Sequence, residues 1–415
     1  VKVLILGDGA REHALAWKFS VSRRTSGLSI GPGNAGTAEL GTNLSDLDIT
    51  DPDAVARRCR EQHVDLVVVG GEEPLTAGVV DQLQHEGIAA IGPTQEAARL
   101  ESSKVFSKEL MQRHGIPTAD ARTFTDRGAF ETYVRARTSP VVVKKSGLAG
   151  GKGVLESDDT EELLAFGGEI LETDAVVVEE RLTGYEVSIF ALSDGRHYTL
   201  LPSAADYKKA GDGNTGPNTG GMGALAPVPW LPQEQLRRIE TEVVSPTFAA
   251  LREEELSYVG VLYFGLMITE RGPFVLEYNV RFGDPEAQVI LPLIRTDFGS
   301  LTSAMASGAL ADYPLHLSSA SALGIVVASP GYPGRYKKNL PVASLPAGDG
   351  TARFLFHAAT HAENGTVYTD GGRCFTGVAL ANELIEARNS AYELVEAVEF
   401  DGAWYRSDIG GQLFG

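Results

Sequence analysis

The sequence predicts a multidomain protein of mixed α/β and α+β class, and three observations carry that prediction. Short apolar runs alternate with amphipathic segments over residues 2–94, and the middle of the chain mixes strands and helices around a long glycine-rich stretch. Residues 320–415 read as a small β-rich α/β tail. A chain of 415 residues has room for roughly two to four domains. Hydrophobic residues at 43% and charged residues at 22% supply packed cores and exclude wholesale disorder.

The run KVLIL at 2–6 ends in a glycine turn, GDG, and REHALAWKFS follows with helical periodicity. DLVVVGG at 65–71 and IAAIGPT at 88–94 repeat the pattern, giving a parallel sheet with crossover helices in a first domain over 1–102. TQEAARLESSKVFSKELMQRHGIP then reads as one long helical segment, stopped by Gly115 and Pro117. A smaller α/β unit follows, with strands in 139–147, 151–157 and 175–182 and a helix near 159–171. Residues 205–224, ADYKKAGDGNTGPNTGGMGA, offer almost nothing to a core, so they read as a functional loop or as disorder. A helix around 232–254, the strands VLYFGLMIT and PFVLEYNVRF, and a helical 296–310 complete the middle.

With 36 Lys+Arg against 55 Asp+Glu, the formal charge is −19. Non-specific nucleic-acid binding and anionic-membrane binding both need a basic face, and neither is expected. Cys59 and Cys374 are too few for a disulfide framework or a zinc site, which points to a reduced, cytoplasmic setting. The opening apolar run is too short for a signal segment, and nothing approaches 18 consecutive apolar residues.

Chemistry concentrates in three segments. In FVLEYNVRF, 274–282, strand alternation puts Phe274, Leu276, Tyr278, Val280 and Phe282 on one face and Val275, Glu277, Asn279 and Arg281 on the other. Glu277 and Asn279 offer the hard oxygens that magnesium takes alongside substrate phosphates; the alternative is a solvated strand face. KKSGLAGGKG, 144–153, sets lysines around free backbone N–H groups, as a phosphate cover or as a plain glycine-rich hairpin. It lacks Walker A spacing. In VVVEERLTGYE, 176–186, the strand end at Glu179–Leu182 can read an adenine edge and Glu186 can take ribose hydroxyls, or the strand simply leaves the core. The N-terminal G-x-G has Glu12 where a dinucleotide fingerprint needs glycine, and GPGNAGTAE at 31–39 can bind an anion or form an ordinary turn. The histidines show no metal-like spacing and read as surface or packing residues.

Taken in order, GDGAREHALAWK, GPGNAGTA, KKSGLAGGKGV, DYKKAGDGNTGPNTGGMGA, EYNVRFGDPEAQ and a terminal DIG resemble the ATP-grasp ligases. More narrowly, they resemble the phosphoribosylamine–glycine ligase family across essentially the whole chain. The resemblance implies a Rossmann-like N-terminal domain over 1–102 and an ATP-grasp domain over 103–320, with 118–187 as its lid. A small β-rich C-terminal domain over 321–415 completes it. The implied reaction joins glycine to 5-phosphoribosylamine with ATP hydrolysis to ADP and phosphate, through glycyl phosphate, in purine biosynthesis. Mg2+ or Mn2+ is the implied cofactor, and the implied protein is a cytoplasmic monomer acting on small molecules.

Carried over by motif, Lys104 and Lys144 contact ATP phosphates, and Gly147, Gly150, Gly151, Lys152 and Gly153 form the flexible phosphate loop. Glu179, Glu180 and Leu182 line the adenine, Glu186 the ribose, and Glu277 with Asn279 the metal. Asp206 and Arg281 resemble the clamp on glycine's ammonium and carboxylate, with Lys208 beside them. Gly33, Asn34, Ala35, Gly36 and Thr37, with Asn218, Thr219, Gly220 and Gly221, shape the phosphoribosylamine site. Arg281, Lys144 and Glu277 are the implied catalytic residues. Departures from the family pattern are Ala10, Lys145, Ser146, Tyr207 in place of histidine, and Gly265 where many ATP-grasp enzymes carry an acid. A different ATP-grasp ligase, a non-catalytic nucleotide binder and a nicotinamide oxidoreductase are the competing readings.

Overall fold

Five short strands open the chain: β1 (Lys2–Gly7), β2 (Gly27–Pro32), β3 (Thr42–Asn43), β4 (Leu66–Val69) and β5 (Ala89–Ile91). In the computed structural model, which describes residues 1–150 and 152–411, they pair in parallel in the order β3-β2-β1-β4-β5. The order in which strands are added reverses at β1, with β2 and β3 on one side and β4 and β5 on the other, so a crevice opens at the carboxyl ends of β1 and β4 beside Gly7 and Gly70. The predicted long helix is two, Gln95–Ser102 and Lys104–Arg113. Ser103 breaks it by turning extended (φ −140°), and its hydroxyl then caps the Phe106 N–H at 3.2 Å.

The smaller unit holds β6 (Ala121–Phe124), β7 (Val141–Lys145), β8 (Val154–Glu156) and β9 (Val176–Glu180) in the antiparallel order β6-β9-β7-β8. Helices Arg127–Ala136 and Thr160–Ile170, capped by Asp126 and Asp159, close a separate core around Phe130, Val143 and Val176.

Beyond it run β10 (Tyr185–Asp194) and β11 (Tyr198–Leu200), then four strands in the segment read from sequence as loop or disorder. These are β12 (Ala205–Asp206), β13 (Lys209–Gly211), β14 (Thr215–Asn218) and β15 (Gly223–Ala226). The segment buries only a few apolar side chains, Tyr207 and Met222 the largest, and side chains from far along the chain hydrogen-bond the rest of it in place. β13 and β14 form a hairpin, while β12 and β15 join β18 (Ser321–Ala328), β19 (Arg353–His357) and β22 (Arg373–Ala381) in one sheet, β12-β15-β18-β22-β19. The small hairpin of β20 (Thr360–Glu363) and β21 (Thr366–Thr369) lies between β19 and β22 in the chain.

β16 (Val259–Thr269) and β17 (Gly272–Asn279) pair antiparallel beside β10 in the order β11-β10-β16-β17. The helical 232–254 is Gln233–Ile239 and Ser245–Glu253 joined by a wider π-turn, and 296–310 contracts to Phe298–Ala306. Among the described residues no helix is long and apolar enough to cross a membrane.

Candidate functional site

The end of β17 supplies the first two groups. Its alternation differs from the sequence expectation at one point: the register against β16 slips between Gly265 and Leu266, pairing them with Glu277 and Val275 and bulging Leu276 out. Val275 therefore enters the same core as Tyr278 and Val280, while Glu277 and Asn279 stay half-exposed at the strand end. Gly265 faces Glu277 directly, and a Cβ there would stand 3.2 Å from the Glu277 Cγ.

The Glu277 carboxylate makes no hydrogen bond or ion pair among the described residues, yet cations surround it. Burial would raise its pKa; Lys208, Lys104, Lys144 and Arg281 together overcome that and hold it below the ordinary carboxylate range. An ionised oxygen donor without a protein partner, two residues from an amide oxygen, fits a hard divalent cation. The described residues hold no cluster of three or more His, Cys, Asp or Glu, so any such ion would take its remaining ligands from substrate or water.

Lys144, on β7, donates to the Leu276 carbonyl at 3.3 Å and pairs with Glu179 at 2.8 Å. Glu179 is buried between two ammonium groups, with Lys108 at 3.1 Å on its other oxygen. That oxygen nevertheless takes no well-directed hydrogen bond. Burial pushes the Glu179 carboxyl up, but Lys144 and Lys108 outweigh it and keep it ionised. Lys108 itself is pushed down to about 8 by burial against the pull of Glu179. Beside them, the Glu180 carboxylate pairs with Arg271 at 2.9 Å, and the Leu182 N–H has no hydrogen bond among the described residues. Lys104 opens its helix, its N–H bonded to the Ser146 carbonyl at 2.9 Å. Burial lowers its pKa against the pull of Glu277.

The glycine-rich loop leaves β7 over this cluster. Ser146 is buried and ties the loop to the Lys104 helix, Gly147 donates to Asp174 at 2.9 Å, and Gly153 accepts from the Lys145 N–H at 2.7 Å. Gly150 (φ +53°) and Lys152 lie exposed in the loop between; Gly151 lies outside the described residues.

Arg281 follows the strand. Its Nε donates to Glu72 at 3.2 Å, Nη2 to Glu101 at 2.6 Å and Asn279 at 3.3 Å, and Nη1 to the Phe282 carbonyl at 3.2 Å. Among the described residues, one of its five guanidinium N–H groups has no acceptor. Opposite, Lys208 pairs with Glu186 at 2.6 Å. Burial, with Glu286 and Glu186 nearby, pushes Asp206 up to about 7 against the pull of Lys208 and a backbone hydrogen bond.

Two loops close the far side, and both are built by internal hydrogen bonds. Asn34 accepts from the Gly36 and Thr37 N–H groups and donates to the Asp8 and His357 carbonyls, while Thr37 bonds Asn34 and Asn43. Their side chains thus frame the 33–37 loop from within. Gly33 turns with positive φ, Ala35 and Gly36 carry no polar side chain, and Asn218 is exposed on the hairpin. Thr219 bonds the Lys208 carbonyl, and Gly220 donates to the Tyr332 hydroxyl at 3.1 Å. Arg373 reaches the carbonyls of Gly220, Gly221 and Asp284. Gly221 (φ +112°) packs where a Cβ would meet Pro285 at 2.4 Å, so a side chain is excluded.

At the N-terminal turn, Glu12 is buried and folds back, its carboxylate accepting the Gly9 N–H at 2.8 Å. A Cβ at Gly7 or Gly70 would strike it. An anion already sits where a dinucleotide pyrophosphate would bind, which removes the nicotinamide reading. His13 and His357 are packing residues: the His357 N–H donates to His13 Nδ1 at 2.8 Å. Glu72, Glu101, Lys108, Tyr332 and Arg373 escaped the sequence reading, since each acts on partners far away in the chain. Glu101 and Lys108 sat inside a quoted segment, TQEAARLESSKVFSKELMQRHGIP, read there only as helix.

The chain matches known proteins along nearly its whole length. Models of the phosphoribosylglycinamide synthetase N domain, ATP-grasp (A) domain and C domain match residues 1–101, 102–287 and 322–412. The chain is 43% identical to the phosphoribosylamine–glycine ligase of Chlorobaculum tepidum, over 99% of this chain and 100% of that protein. It is 42% identical to the trifunctional purine biosynthetic protein adenosine-3 of Homo sapiens, spanning 42% of that longer protein and 99% of this chain. The crystal structure of phosphoribosylamine–glycine ligase from Thermotoga maritima aligns with a TM-score of 0.86 at 35% identity, covering 99% of this chain and 100% of that one. A Hydrogenobacter thermophilus biotin carboxylase domain in complex with MgADP aligns at 0.73 with 16% identity, over 97% and 91%, and shares the fold alone.

Proposed function

Because the chain belongs to the phosphoribosylamine–glycine ligase family, we propose that the cleft between the glycine-rich loop and the end of β17 is where it joins glycine to 5-phosphoribosylamine at the expense of ATP. The observation that carries this reading is Glu277: an ionised carboxylate with no partner among the described residues, ringed by Lys104, Lys144, Lys208 and Arg281. The protein is an ATP-dependent ligase of purine biosynthesis, and its roles follow from that charge pattern.

Glycine's carboxylate must attack the γ-phosphoryl group, so two anions have to meet. Lys104 and Lys144 hold the phosphates, and the free N–H of Arg281 orients the attacking carboxylate, offsetting the repulsion. Asp206, with Lys208 and Glu186 beside it, takes the ammonium end. Glu277 and Asn279 would hold a divalent ion, Mg2+ or Mn2+, whose charge neutralises the transferring phosphoryl. The Glu179 oxygen that lacks a well-aligned donor, the engaged Glu180 and the Leu182 N–H, unbonded among the described residues, support an adenine edge lying there, with Glu186 near the ribose. The loop of Gly147, Gly150, Gly151, Lys152 and Gly153 covers the phosphates and keeps water from glycyl phosphate until the amine, held by the 33–37 and 218–221 loops, attacks. That loop belongs to a lid, which we assign to 118–187 on its separate core, with divisions after 102 and 320. Among the described residues the large exposed apolar ones, Val21, Leu148, Leu317, Tyr336 and Ile385, lie in separate segments, which supports a monomer.

The test is ADP release with glycine and phosphoribosylamine both present. Glu277→Gln is expected to lower turnover at least about a hundredfold, as loss of a strong transition-state group does. Near-normal turnover in magnesium overturns the ligand assignment, and bicarbonate-dependent, glycine-independent turnover overturns the substrate assignment.

A further inference from the structure

The segment 404–410 lies across the substrate hairpin and the strand behind it, nearly two hundred residues away in the chain. Arg406, 1% exposed, binds both Asp408 carboxylate oxygens at 2.7 Å. The same guanidinium donates to the Lys209 carbonyl at 2.9 Å and the Asn214 side chain at 3.1 Å, and stands 5.2 Å from the Tyr207 ring centre. Asp408 accepts the Gly213 N–H at 2.8 Å, Asp212 accepts the Ser407 N–H at 3.0 Å, and the Gly410 N–H donates to the Tyr207 hydroxyl at 2.9 Å. The hairpin over 209–218 and the strand at 205–207 are thus held from one side by a single buried guanidinium and the residues around it.

Strand alternation gives this grip its consequence. Tyr207 is buried against the 404–410 segment, so its neighbours Asp206 and Lys208 project to the opposite side, where Lys208 meets Glu186. Burying a guanidinium is costly, and its planar fork fixes the angle between the groups it joins in a way an ammonium cannot. Tyr207 stands where the family motif has histidine, and its hydroxyl reaches the Gly410 backbone.

We propose that Arg406 is a positioning residue for the glycine side of the reaction: acting through Tyr207 and the hairpin, it fixes the backbone from which Asp206 and Lys208 reach the substrate. The proposal rests on the placing of Asp206 at glycine's ammonium.

The experiment compares Arg406→Lys, Tyr207→Phe and Asp206→Asn by steady-state kinetics, with thermal melting to confirm folding. Arg406→Lys keeps the charge and loses the fork; the expected result is a glycine KM raised about tenfold, as for loss of charge-assisted bonds, with the ATP KM within about twofold. Tyr207→Phe removes one hydroxyl and is expected to raise the glycine KM about fivefold, also without moving the ATP KM. If Arg406→Lys does not fold, Tyr207→Phe decides. An unchanged glycine KM in the folded variants overturns the positioning role, and so does an ATP KM that rises in step. If Asp206→Asn raises the glycine KM while the other two do not, the positioning role of Arg406 fails and the placing of Asp206 stands. Should Asp206→Asn leave it unmoved, the placing of Asp206 falls and the proposal falls with it.

Discussion

Glu101 holds Arg281 at 2.6 Å with one carboxylate oxygen and takes the Val280 N–H at 2.8 Å with the other. It lies in the last turn of the helix Gln95–Ser102, three residues before Lys104. Lys104, proposed to hold phosphate, and Arg281, proposed to orient glycine, therefore lie close to one buried anchor. Burial raises the Glu101 pKa, and Arg281 works against that rise.

Replacing Glu101 by glutamine keeps an acceptor for Val280 and removes the charge that fixes the guanidinium. The expected outcome is a kcat/KM for glycine lowered about ten- to a hundredfold, the range of a lost hydrogen bond to a charged group. ATP binding should change far less, because Lys104 and Lys144 are untouched. Kinetics with glycine varied at saturating ATP, beside direct binding of an ATP analogue, checks this. An equal loss in both would show that Glu101 supports the cleft in general, not Arg281.

Lys108 makes a second buried anchor, pairing with Glu179 at 3.1 Å and donating to Thr118 at 2.6 Å. Lys108→Met leaves Glu179 to Lys144 alone, drawing that ammonium away from the phosphates. Breaking a buried pair by removing one partner costs about 3 kcal/mol, and the ATP KM should rise about tenfold with the glycine KM steady. Urea unfolding and initial rates measure the two effects separately. A stable variant with an unchanged ATP KM would mean that Lys144 needs no second lysine behind Glu179.

These anchors mark what the sequence can and cannot disclose. The strand carrying Glu277, Asn279 and Arg281 is legible because alternation is a local property; the Leu276 bulge is not, since it arises from pairing with Gly265 and Leu266 across the ladder. The helix break at Ser103 had a local signal, a serine at a cap position, that helical periodicity on both sides concealed. The ordering of 205–221 had none: its hydrogen bonds come from Arg373, Tyr332 and residues 406–410. Likewise Glu72 and Glu101 are ordinary helix acids until folding brings Arg281 between them. The chemistry sits in local motifs, and the parts that hold it still come from elsewhere in the chain.

Asp206 gives the site a pH dependence with a definite sign. Its carboxyl, raised to about 7 chiefly by burial, attracts an ammonium only when ionised. As pH falls through about 7, protonation should weaken glycine binding, with log kcat/KM for glycine approaching a slope of about one per pH unit. The Asp206→Asn enzyme should be slower and flat over the same range. A wild-type profile that stays level down to pH 6 would show that another group sets ammonium binding.

A second pH effect concerns stability. His13 lies against Phe356 and His357, with ring centres 5.5 Å away in each case, and joins the N-terminal helix to β19. Burial pushes His13 down to about 3, reinforced by His357, and burial pushes His357 down to about 4. Between about pH 6.5 and 4 the unfolded chain therefore binds protons that the folded chain refuses, and stability falls as pH falls. Each histidine contributes a slope of up to about 1.4 kcal/mol per pH unit across that window. Asp206 and Glu286, raised in the folded state, act in the opposite direction as they take up protons. His13→Gln keeps an acceptor for the His357 N–H and removes one of the two titrating rings. Urea midpoints from pH 7 to 4.5 should show a steep loss in the wild type and a shallower one in the variant. Parallel curves would mean that His13 takes a proton without leaving its place between the N-terminal helix and β19.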